Sequence, residues 1–213
     1  MFRTDERGLA RSRVVAVTAA APNRRVTRRQ AELLNRLLEL FLAEGFSQFT
    51  LDDLAARLHC SKTTLYQIAP SKEQLSAAVV VHFFRRTTDF VEHHVAQAGT
   101  PAERIATYLR AAAAALKPAS RAFLADMAAF APARAVYERN TRIAADRVRD
   151  LLREGRVSGN FRDLDDAFVG EVVAQVMHGI VTGDLTRRTG LTDAQAYERL
   201  ARLVLAAVTS GGR

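Results

Sequence analysis

The sequence has little of what cross-links a chain, anchors it in a membrane or builds a sheet. Cys60 is its only cysteine, which excludes an intramolecular disulfide framework. No run of about eighteen uninterrupted apolar residues occurs, so the sequence predicts no membrane span. Alternating Val/Ile-rich stretches are also missing, and strand content is expected to be near zero. These absences favour an all-α fold.

The motifs of common enzyme classes are missing as well. The chain contains no G-x-S-x-G, no phosphate-binding P-loop, no dinucleotide-binding glycine pattern and no Cys-x-x-Cys pair. The histidines lack the spacing of metal ligands, because His93 and His94, adjacent on a helix, cannot both face one site. We therefore expect no enzyme activity, no cofactor and no metal.

Most of the excess positive charge lies at the N-terminus. Residues 1–30 hold eight arginines against Asp5 and Glu6, a net charge of +6, whereas residues 31–75 carry four bases against six acids, a net charge of −2. Basic N-terminal segments often contact nucleic acid, because each phosphate contact releases counterions. A solvated tail is an equal alternative for residues 1–22. The segment is not expected to be a targeting signal, since its apolar part is short and is followed by Pro-Asn-Arg-Arg.

Helix-start signals are concentrated in residues 46–75. Thr50 precedes a short apolar pattern with helical spacing, so it is predicted to cap a helix. Ser61 is predicted to cap a second short helix, and Ser71 opens a third with the S-x-x-Q pattern of a capping box. Residues 59–61 leave room only for a sharp turn between the first two. Helix, turn and helix form the helix-turn-helix unit that places its second helix in the DNA major groove.

The second short helix carries compact or planar hydrogen-bonding side chains. Such groups can contact base edges and phosphates, and threonine methyl groups can contact thymine. The candidate DNA-contacting residues on this helix are Lys62, Thr63, Thr64, Tyr66 and Gln67. Leu65 and Ile68, three residues apart, are predicted to face inward. A plain three-helix bundle with a polar surface helix is the alternative.

Four segments of the chain form a longer pattern. They are Leu40-Phe41-Leu42-Ala43-Glu44-Gly45-Phe46, Phe49-Thr50-Leu51-Asp52-Asp53-Leu54-Ala55, Cys60-Ser61-Lys62-Thr63-Thr64-Leu65-Tyr66 and Ser71-Lys72-Glu73-Gln74-Leu75. Their order and spacing resemble the tetracycline-repressor (TetR) family of bacterial transcriptional regulators, over about residues 27–79. The resemblance implies an all-α fold, with an N-terminal three-helix helix-turn-helix DNA-binding domain followed by a larger helical ligand-binding and dimerisation domain.

The resemblance adds roles at particular positions. It implies that the hydroxyl groups of Thr50 and Tyr66 face phosphates and that Lys72, near the start of the fourth helix, clamps one. Arg28 would lie beside the DNA if the first helix is oriented as in the family. The chain departs from the family's usual glycine at His59, which tolerates the left-handed region better than most residues.

Further departures leave a second interpretation open. Asp52 and Asp53 bring negative charge close to DNA, and Gln67-Ile68-Ala69 replaces the family's aromatic pair. These changes motivate the alternative of a helical small-molecule-binding module with a degenerate DNA-reading head. A nonspecific nucleoid-type binder that uses its arginines is a third interpretation.

The expected organisation is a basic leader over residues 1–26, a DNA-binding domain over 27–75 and a helical ligand-binding and dimerisation domain over 76–213. One continuous helix is predicted from residues 163–166 towards Leu185, and Thr192 is predicted to cap the last helix. These two helices carry broad apolar stripes. In the family they pair with their symmetry mates, so we expect a homodimer.

The resemblance also implies a small-molecule effector among the middle helices. Aromatic and methionine side chains suit an apolar, adaptable pocket, although they suit an ordinary core equally well. The candidate lining residues are Tyr108, Phe123, Met127, Phe130, Tyr137, Met177 and His178. Few acids are expected inside, which favours a lipophilic or aromatic effector. The resulting hypothesis is a bacterial, cytoplasmic, nucleoid-associated repressor that an effector releases from a palindromic DNA operator.

Overall fold

A computed structural model describes residues 27–209 of the chain, and the predictions for the leader over residues 1–26 lie outside it. The described residues form ten α-helices and no strand, so the predicted all-α fold is confirmed there. The helices are α1 (Arg28–Glu44), α2 (Leu51–Arg57), α3 (Lys62–Tyr66), α4 (Lys72–Val95), α5 (Pro101–Leu116), α6 (Arg121–Ala129), α7 (Ala131–Val157), α8 (Asp166–Val181), α9 (Asp184–Thr189) and α10 (Asp193–Val208).

Local capping determines where most of these helices begin. The hydroxyl groups of Thr50 and Ser61 accept hydrogen bonds from backbone N–H groups three residues later, as the sequence predicts. Thr100 and Thr192 form complete capping boxes at α5 and α10. Ser71 caps α4 by accepting from the Gln74 N–H at 3.2 Å.

Two turns have positive φ angles that shape the N-terminal helices. Gly45 ends α1 with a φ of 80°, and its N–H donates to the carbonyl of Phe41 at 2.8 Å. His59 occupies the turn between α2 and α3 with a φ of 50°, and no other non-glycine residue among 27–209 has a positive φ. The histidine therefore adopts the left-handed conformation that the sequence suggested for it, at a cost in strain.

The structure corrects one predicted helix. The continuous helix towards Leu185 is interrupted at Gly183, whose φ of 76° places it in the left-handed region. The chain therefore ends α8 at Val181 and begins a separate short helix, α9. Glycine adopts such a conformation without a Cβ clash, which is why the interruption falls there.

The core consists of two clusters of buried apolar side chains. The head cluster fills the space among α1, α2, α3 and the first half of α4, and α6 contributes Phe123 and Met127 to it. The effector cluster lies among α5, α7, α8, α10 and the second half of α4. Helix α4 joins the two, with Phe83 in the first and Val91 in the second. Within residues 27–209 no helix has both the length and the apolar character needed to cross a membrane.

Candidate DNA interface and effector cavity

The short helix α3 exposes polar side chains to solvent and is held in place by one buried apolar side chain. Leu65 is fully buried in the head cluster, whereas Thr63 and Gln67 are exposed and the Tyr66 side chain is 49% exposed. The side-chain amide of Gln30, on α1, donates to the backbone carbonyl of Gln67 at 3.2 Å and fixes the end of α3. An exposed polar face on an anchored helix is the geometry that contact with DNA bases needs.

Two of the predicted contact residues are already engaged with aspartates. The Lys62 ammonium group lies 2.7 Å from a carboxylate oxygen of Asp52. The Thr50 hydroxyl donates to the carboxylate of Asp53 at 2.7 Å and accepts from the Asp53 N–H at 3.1 Å. The hydroxyl and the backbone N–H of Thr50 both donate to this carboxylate and lower the pKa of Asp53, so the carboxylate stays charged at the start of α2. A phosphate that approaches this helix end competes with that carboxylate.

The remaining candidates lie around the same surface. Lys72 donates to the backbone carbonyl of Ser47 at 2.8 Å, so its ammonium group holds the loop between α1 and α2. Arg28 is exposed at the start of α1 and pairs with Glu32 at 3.0 Å. Thr64 is half-buried, and its hydroxyl lies 2.9 Å from that of Ser61. The structure thus brings the eight DNA-binding candidates onto the N-terminal helices and their caps and leaves all of them except Thr64 and Lys72 exposed.

A carboxylate on α6, about 80 residues further along the sequence, supports the α1–α2 loop. Asp126 accepts hydrogen bonds from the backbone N–H groups of Phe46 and Ser47, at 2.5 and 2.8 Å. Burial alone would raise the pKa of Asp126, but these hydrogen bonds outweigh it and lower the pKa. The N–H of Ser120 adds a further bond, to the carbonyl of Leu42 at 2.8 Å. Helix α6 is therefore hydrogen-bonded to the region formed by α1, α2, α3 and the start of α4, which we call the head. No local sequence signal indicates this contact.

A cavity of about 1130 Å³ lies among α4, α5, α7, α8 and α10. Four of the predicted lining residues, Tyr108, Tyr137, Met177 and His178, form part of its wall. The Tyr137 hydroxyl lies 2.8 Å from Nδ1 of His178 and joins α7 to α8 there. This volume is slightly larger than the roughly 300–1,000 Å³ of most small-molecule sites.

The other three predicted lining residues lie elsewhere. Phe123 and Met127 are buried in the head cluster, and Phe130 packs against the same cluster. The ring of Phe46 meets Phe123 edge-on, with centroids 6.2 Å apart. Apolar periodicity correctly indicated that these side chains are buried. It does not specify which part of the molecule they pack against, and here they pack in the head cluster.

Charged residues also line the cavity, on its solvent-facing side, where the side chains of four acids are 39–61% exposed. Glu92, on α4, forms a bidentate pair with Arg147, on α7, at 2.9 and 3.0 Å. Three further acids line the cavity, and each lies within salt-bridge distance of an arginine. These pairs are Glu154 with Arg104, Asp150 with Arg153 and Asp146 with Arg149. The wall is therefore aromatic towards Tyr137 and ionic towards Glu92, with its described charges paired.

One wall residue that the sequence did not single out is Tyr197, on α10. Its side chain is 2% exposed, and its hydroxyl has no hydrogen-bond partner among residues 27–209. Burial raises its pKa, as it does for Tyr108 on the facing helix α5, so both phenols keep their protons. Nothing in the local pattern around Tyr197 distinguishes it from an ordinary core residue.

The apolar stripes of α8 and α10 divide between the core and the surface. Val173, Ile180 and Leu200 are buried in the effector cluster. Phe168 and Leu203 are 68% and 63% exposed. Val172, at 38%, is exposed on α8 as well. We call Phe168, Val172 and Leu203 the exposed apolar face.

The first comparison with known proteins concerns the N-terminal helices. Residues 33–79 match the family model described as bacterial regulatory proteins, tetR family. This N-terminal segment is similar to the DNA-binding part of the TetR family. The resemblance of the four sequence segments is thereby confirmed. No curated protein sequence matches the chain.

Solved structures extend the likeness of the TetR-type fold beyond the head. A transcriptional regulator from Cytophaga hutchinsonii is 14% identical, with a TM-score of 0.68 over 85% of this chain and 99% of that one. A protein from Saccharomonospora viridis, solved as a transcriptional regulator in complex with choline, is 15% identical, with a TM-score of 0.68 over 85% and 97%. A TetR/AcrR-family regulator from Thermobifida fusca is 22% identical, with a TM-score of 0.61 over 84% and 97%. At these identities the likeness shows the fold.

Proposed function

We propose that this chain is a homodimeric transcriptional repressor that reads a palindromic operator and is released from it by a small molecule. The observation that carries the proposal is the course of α4. Its first turn holds Lys72 under the TetR-family head, and its later turns place Phe84 and Glu92 in the cavity wall. One continuous helix therefore belongs to both sites, so a ligand that prefers one position of α4 also favours one position of the head.

A second contact transmits the same change. Helix α6 carries Asp126 against the head, and the helix that follows it, α7, contributes Tyr137 and Arg147 to the cavity. A ligand that shifts α7 would move α6 and, through the hydrogen bonds of Asp126, the α1–α2 loop. In a dimer such shifts change the separation of two heads, and binding to two half-sites depends on that separation.

The DNA contacts fall into two groups in this proposal. Tyr66, Lys72 and Thr50 contact phosphates, so their loss weakens binding to every sequence. Thr63 and Gln67, exposed polar residues on α3 and at its C-cap, contact bases, and their substitution changes the preferred sequence. Because residues 31–75 are net −2, long-range attraction to DNA comes largely from the arginines before them.

The exposed apolar face is the proposed dimer interface. Phe168 and Leu203 are large apolar side chains on the two long helices next to the C-terminus, and burying them against a second copy removes apolar area from water. A Phe168→Asp, Leu203→Glu double variant should sediment as a monomer at concentrations where the unaltered protein is a dimer. Val157→Asp, at an exposed valine on α7, is the matched control and should leave the dimer intact.

The decisive experiment is a mobility shift with DNA from upstream of the chain's own coding sequence. We expect a sequence-specific complex at low salt that unrelated DNA does not displace. A protein lacking residues 1–26 keeps Thr27, the cap of α1, and should bind all sequences more weakly with a smaller salt dependence. A folded dimer that gives no specific shift would refute the repressor proposal.

One observation favours a second candidate function. Asp52 and Asp53 already engage Lys62 and Thr50, so two of the DNA-contacting candidates are paired with carboxylates of the chain itself. A small-molecule-binding protein with a degenerate head would show ligand binding in the cavity and no specific DNA shift. The same mobility-shift experiment therefore separates the two functions.

A further inference from the structure

The side-chain amide of Gln30, on α1, forms hydrogen bonds at both of its ends. Its oxygen accepts from the backbone N–H and the hydroxyl of Thr27, at 2.9 and 3.2 Å, and so completes the capping box of α1. Its nitrogen donates to the backbone carbonyl of Gln67, the C-cap of α3, at 3.2 Å. A backbone N–H can only donate and a carbonyl can only accept, so these two partners determine the orientation of the amide. Gln30 therefore joins the start of α1 to the end of α3.

The end of α3 depends on contacts with other helices. The helix has five residues, which is too short for its own hydrogen bonds to keep it folded. Its buried apolar side chain is Leu65, and beyond it Ile68 is half-buried and the buried Ala69 is small. The last carbonyl groups of a helix have no partner within that helix. Gln30 supplies a partner for the carbonyl of Gln67, the residue whose side chain is a proposed base contact.

Helix α1 holds the neighbouring helix α2 in a comparable way. A guanidinium nitrogen of Arg36 donates to the carbonyl of Leu58, the C-cap of α2, at 2.8 Å. Arg57, in the last turn of α2, forms two hydrogen bonds with Glu44, at the end of α1, at 2.7 and 2.9 Å. Helix α2 is thus bonded to α1 through two arginines. Between α1 and α3, by contrast, Gln30 forms the only side-chain hydrogen bond among residues 27–209.

The start of α1 also presents positive charge to DNA. Arg28 and Arg29 directly precede Gln30 and are exposed. Contacts between arginines and phosphates set the position of a protein on the duplex, whereas contacts with base edges read the sequence. Gln30 lies between these arginines and Gln67. Its two hydrogen bonds therefore fix the distance between a phosphate-contacting segment and a base-contacting side chain.

We propose that Gln30 is a positioning residue for the reading of DNA sequence. It holds the end of α3 where Gln67 reaches a base edge while the start of α1 lies against the phosphates. This inference rests on the proposed DNA-binding function and adds to it a residue outside α3 that determines specificity. The role requires an amide. A glutamate would also complete the capping box, but its carboxylate has no N–H to donate to the Gln67 carbonyl.

Selection from a duplex library with a randomised centre tests this assignment on the full chain. The unaltered protein should enrich one sequence, and its affinity for that duplex relative to a shuffled duplex of the same composition measures specificity. Gln30→Glu keeps the capping box and removes the donor, so this ratio should fall about fivefold, the factor that one net hydrogen bond gives. Selection repeated with Gln30→Glu should lose preference at the same base pairs as selection with Gln67→Ala.

Two control variants separate positioning from stability and from charge. Thr27→Ala removes the hydroxyl that caps α1 but keeps the backbone N–H that holds the Gln30 oxygen. It should lower the Tm by about 2–4 °C, at least as much as Gln30→Glu does, and keep the affinity ratio. Gln48→Glu makes the same charge change at an exposed residue of the α1–α2 loop. It should weaken binding to both duplexes alike and also keep the ratio.

Each other outcome overturns a defined claim. If Gln30→Glu kept the ratio and the base preference of the unaltered chain, the positioning role would be refuted and the repressor proposal would stand. An equal fall of the ratio in Thr27→Ala would show that the stability of α1, and not the bond to Gln67, controls specificity. An equal fall in Gln48→Glu would assign the loss to charge. If the unaltered chain enriched no sequence, the proposed DNA-reading function would fail, and this inference with it.

Discussion

The carboxylate of Asp126 on α6 accepts a hydrogen bond from the backbone N–H of Ser47, 79 residues earlier in the chain, at 2.8 Å. The neighbouring N–H of Phe46 bonds to the same oxygen. Lys72 bonds to the carbonyl of the same residue, Ser47, at 2.8 Å. The α1–α2 loop is thus held by a carboxylate from α6 and an ammonium group from α4.

Replacing Asp126 should therefore destabilise the whole chain. Asp126→Ala leaves two backbone N–H groups without their acceptor, which should lower the free energy of unfolding in urea by about 1–3 kcal/mol. Asp126→Asn keeps an acceptor oxygen and should lose less. Asp89→Ala, at an exposed acid on α4, is the control. If Asp126→Ala unfolded at the same urea concentration as the control, the hydrogen bonds would not contribute to stability.

A second prediction concerns the strained turn at His59. The φ of 50° is unfavourable for a residue with a Cβ, so His59→Gly should raise the free energy of unfolding by about 0.5–1 kcal/mol. Ala56→Gly, three residues earlier and within α2, should lower it by about 1 kcal/mol, because glycine disfavours helix interiors. Opposite signs from two glycine substitutions in one segment are the expected result. A loss of stability in both would contradict the strained conformation.

A third prediction concerns the ion pair between Asp52, on α2, and Lys62, on α3. Asp52→Asn frees the Lys62 ammonium group and removes a negative charge, so affinity for duplex DNA at low salt should rise about three- to fivefold. If Lys62 gains a phosphate contact, the slope of log affinity against log salt should steepen by about 0.9. Glu39→Gln makes the same charge change on α1 and should leave the slope unaltered. Equal effects of the two substitutions would assign the gain to net charge alone.

A fourth prediction concerns pH and the contact between α5 and α10. Arg110 forms two hydrogen bonds with Glu198, at 2.9 and 3.2 Å, and with Arg202 it lowers the pKa of Glu198 to about 2. Because the pKa in the folded state lies below the unfolded value of about 4.3, the pair stabilises the fold above that pH. Its contribution should disappear as the pH falls from about 4.3 to about 2.

Carboxyl NMR titration provides the measurement for Glu198. Arg110→Gln should move its pKa up towards the ordinary range, though not fully, since Arg202 stays 3.3 Å away. Arg199→Gln changes a neighbouring exposed arginine on the same helix and should leave the titration where it was. An unshifted Glu198 in Arg110→Gln would show that the pair does not persist in solution.

The features that sequence reasoning predicted correctly are those set by a few neighbouring residues. The caps at Thr50, Ser61 and Thr192 depend on a hydroxyl and an N–H three residues later, and the structure has all of them. The left-handed turn at His59 also follows from one residue and its position. The sequence at Gly183 did not indicate where α8 ends, because the apolar pattern continues past this residue and glycine occurs both within helices and at helix breaks.

Apart from the break at Gly183, the features that sequence reasoning missed depend on long-range contacts. Phe123 and Met127 were predicted to line the cavity, but α6 packs on the head, which local periodicity cannot reveal. Glu92 and Arg147 are 55 residues apart, so their pairing inside the cavity wall has no local signature. The unsatisfied hydroxyl of Tyr197 is likewise defined by what surrounds it in three dimensions.

The length of α4 sets how strongly the molecule can amplify a small disturbance. Its 24 residues span about 36 Å at 1.5 Å per residue. A tilt of about 5° pivoting at the Val95 end displaces the Lys72 end by about 3 Å, which is close to the rise of one base pair. In the proposed mechanism the helix works as a lever, in which an effector that moves its upper turns by less than one ångström carries the head out of step with the DNA.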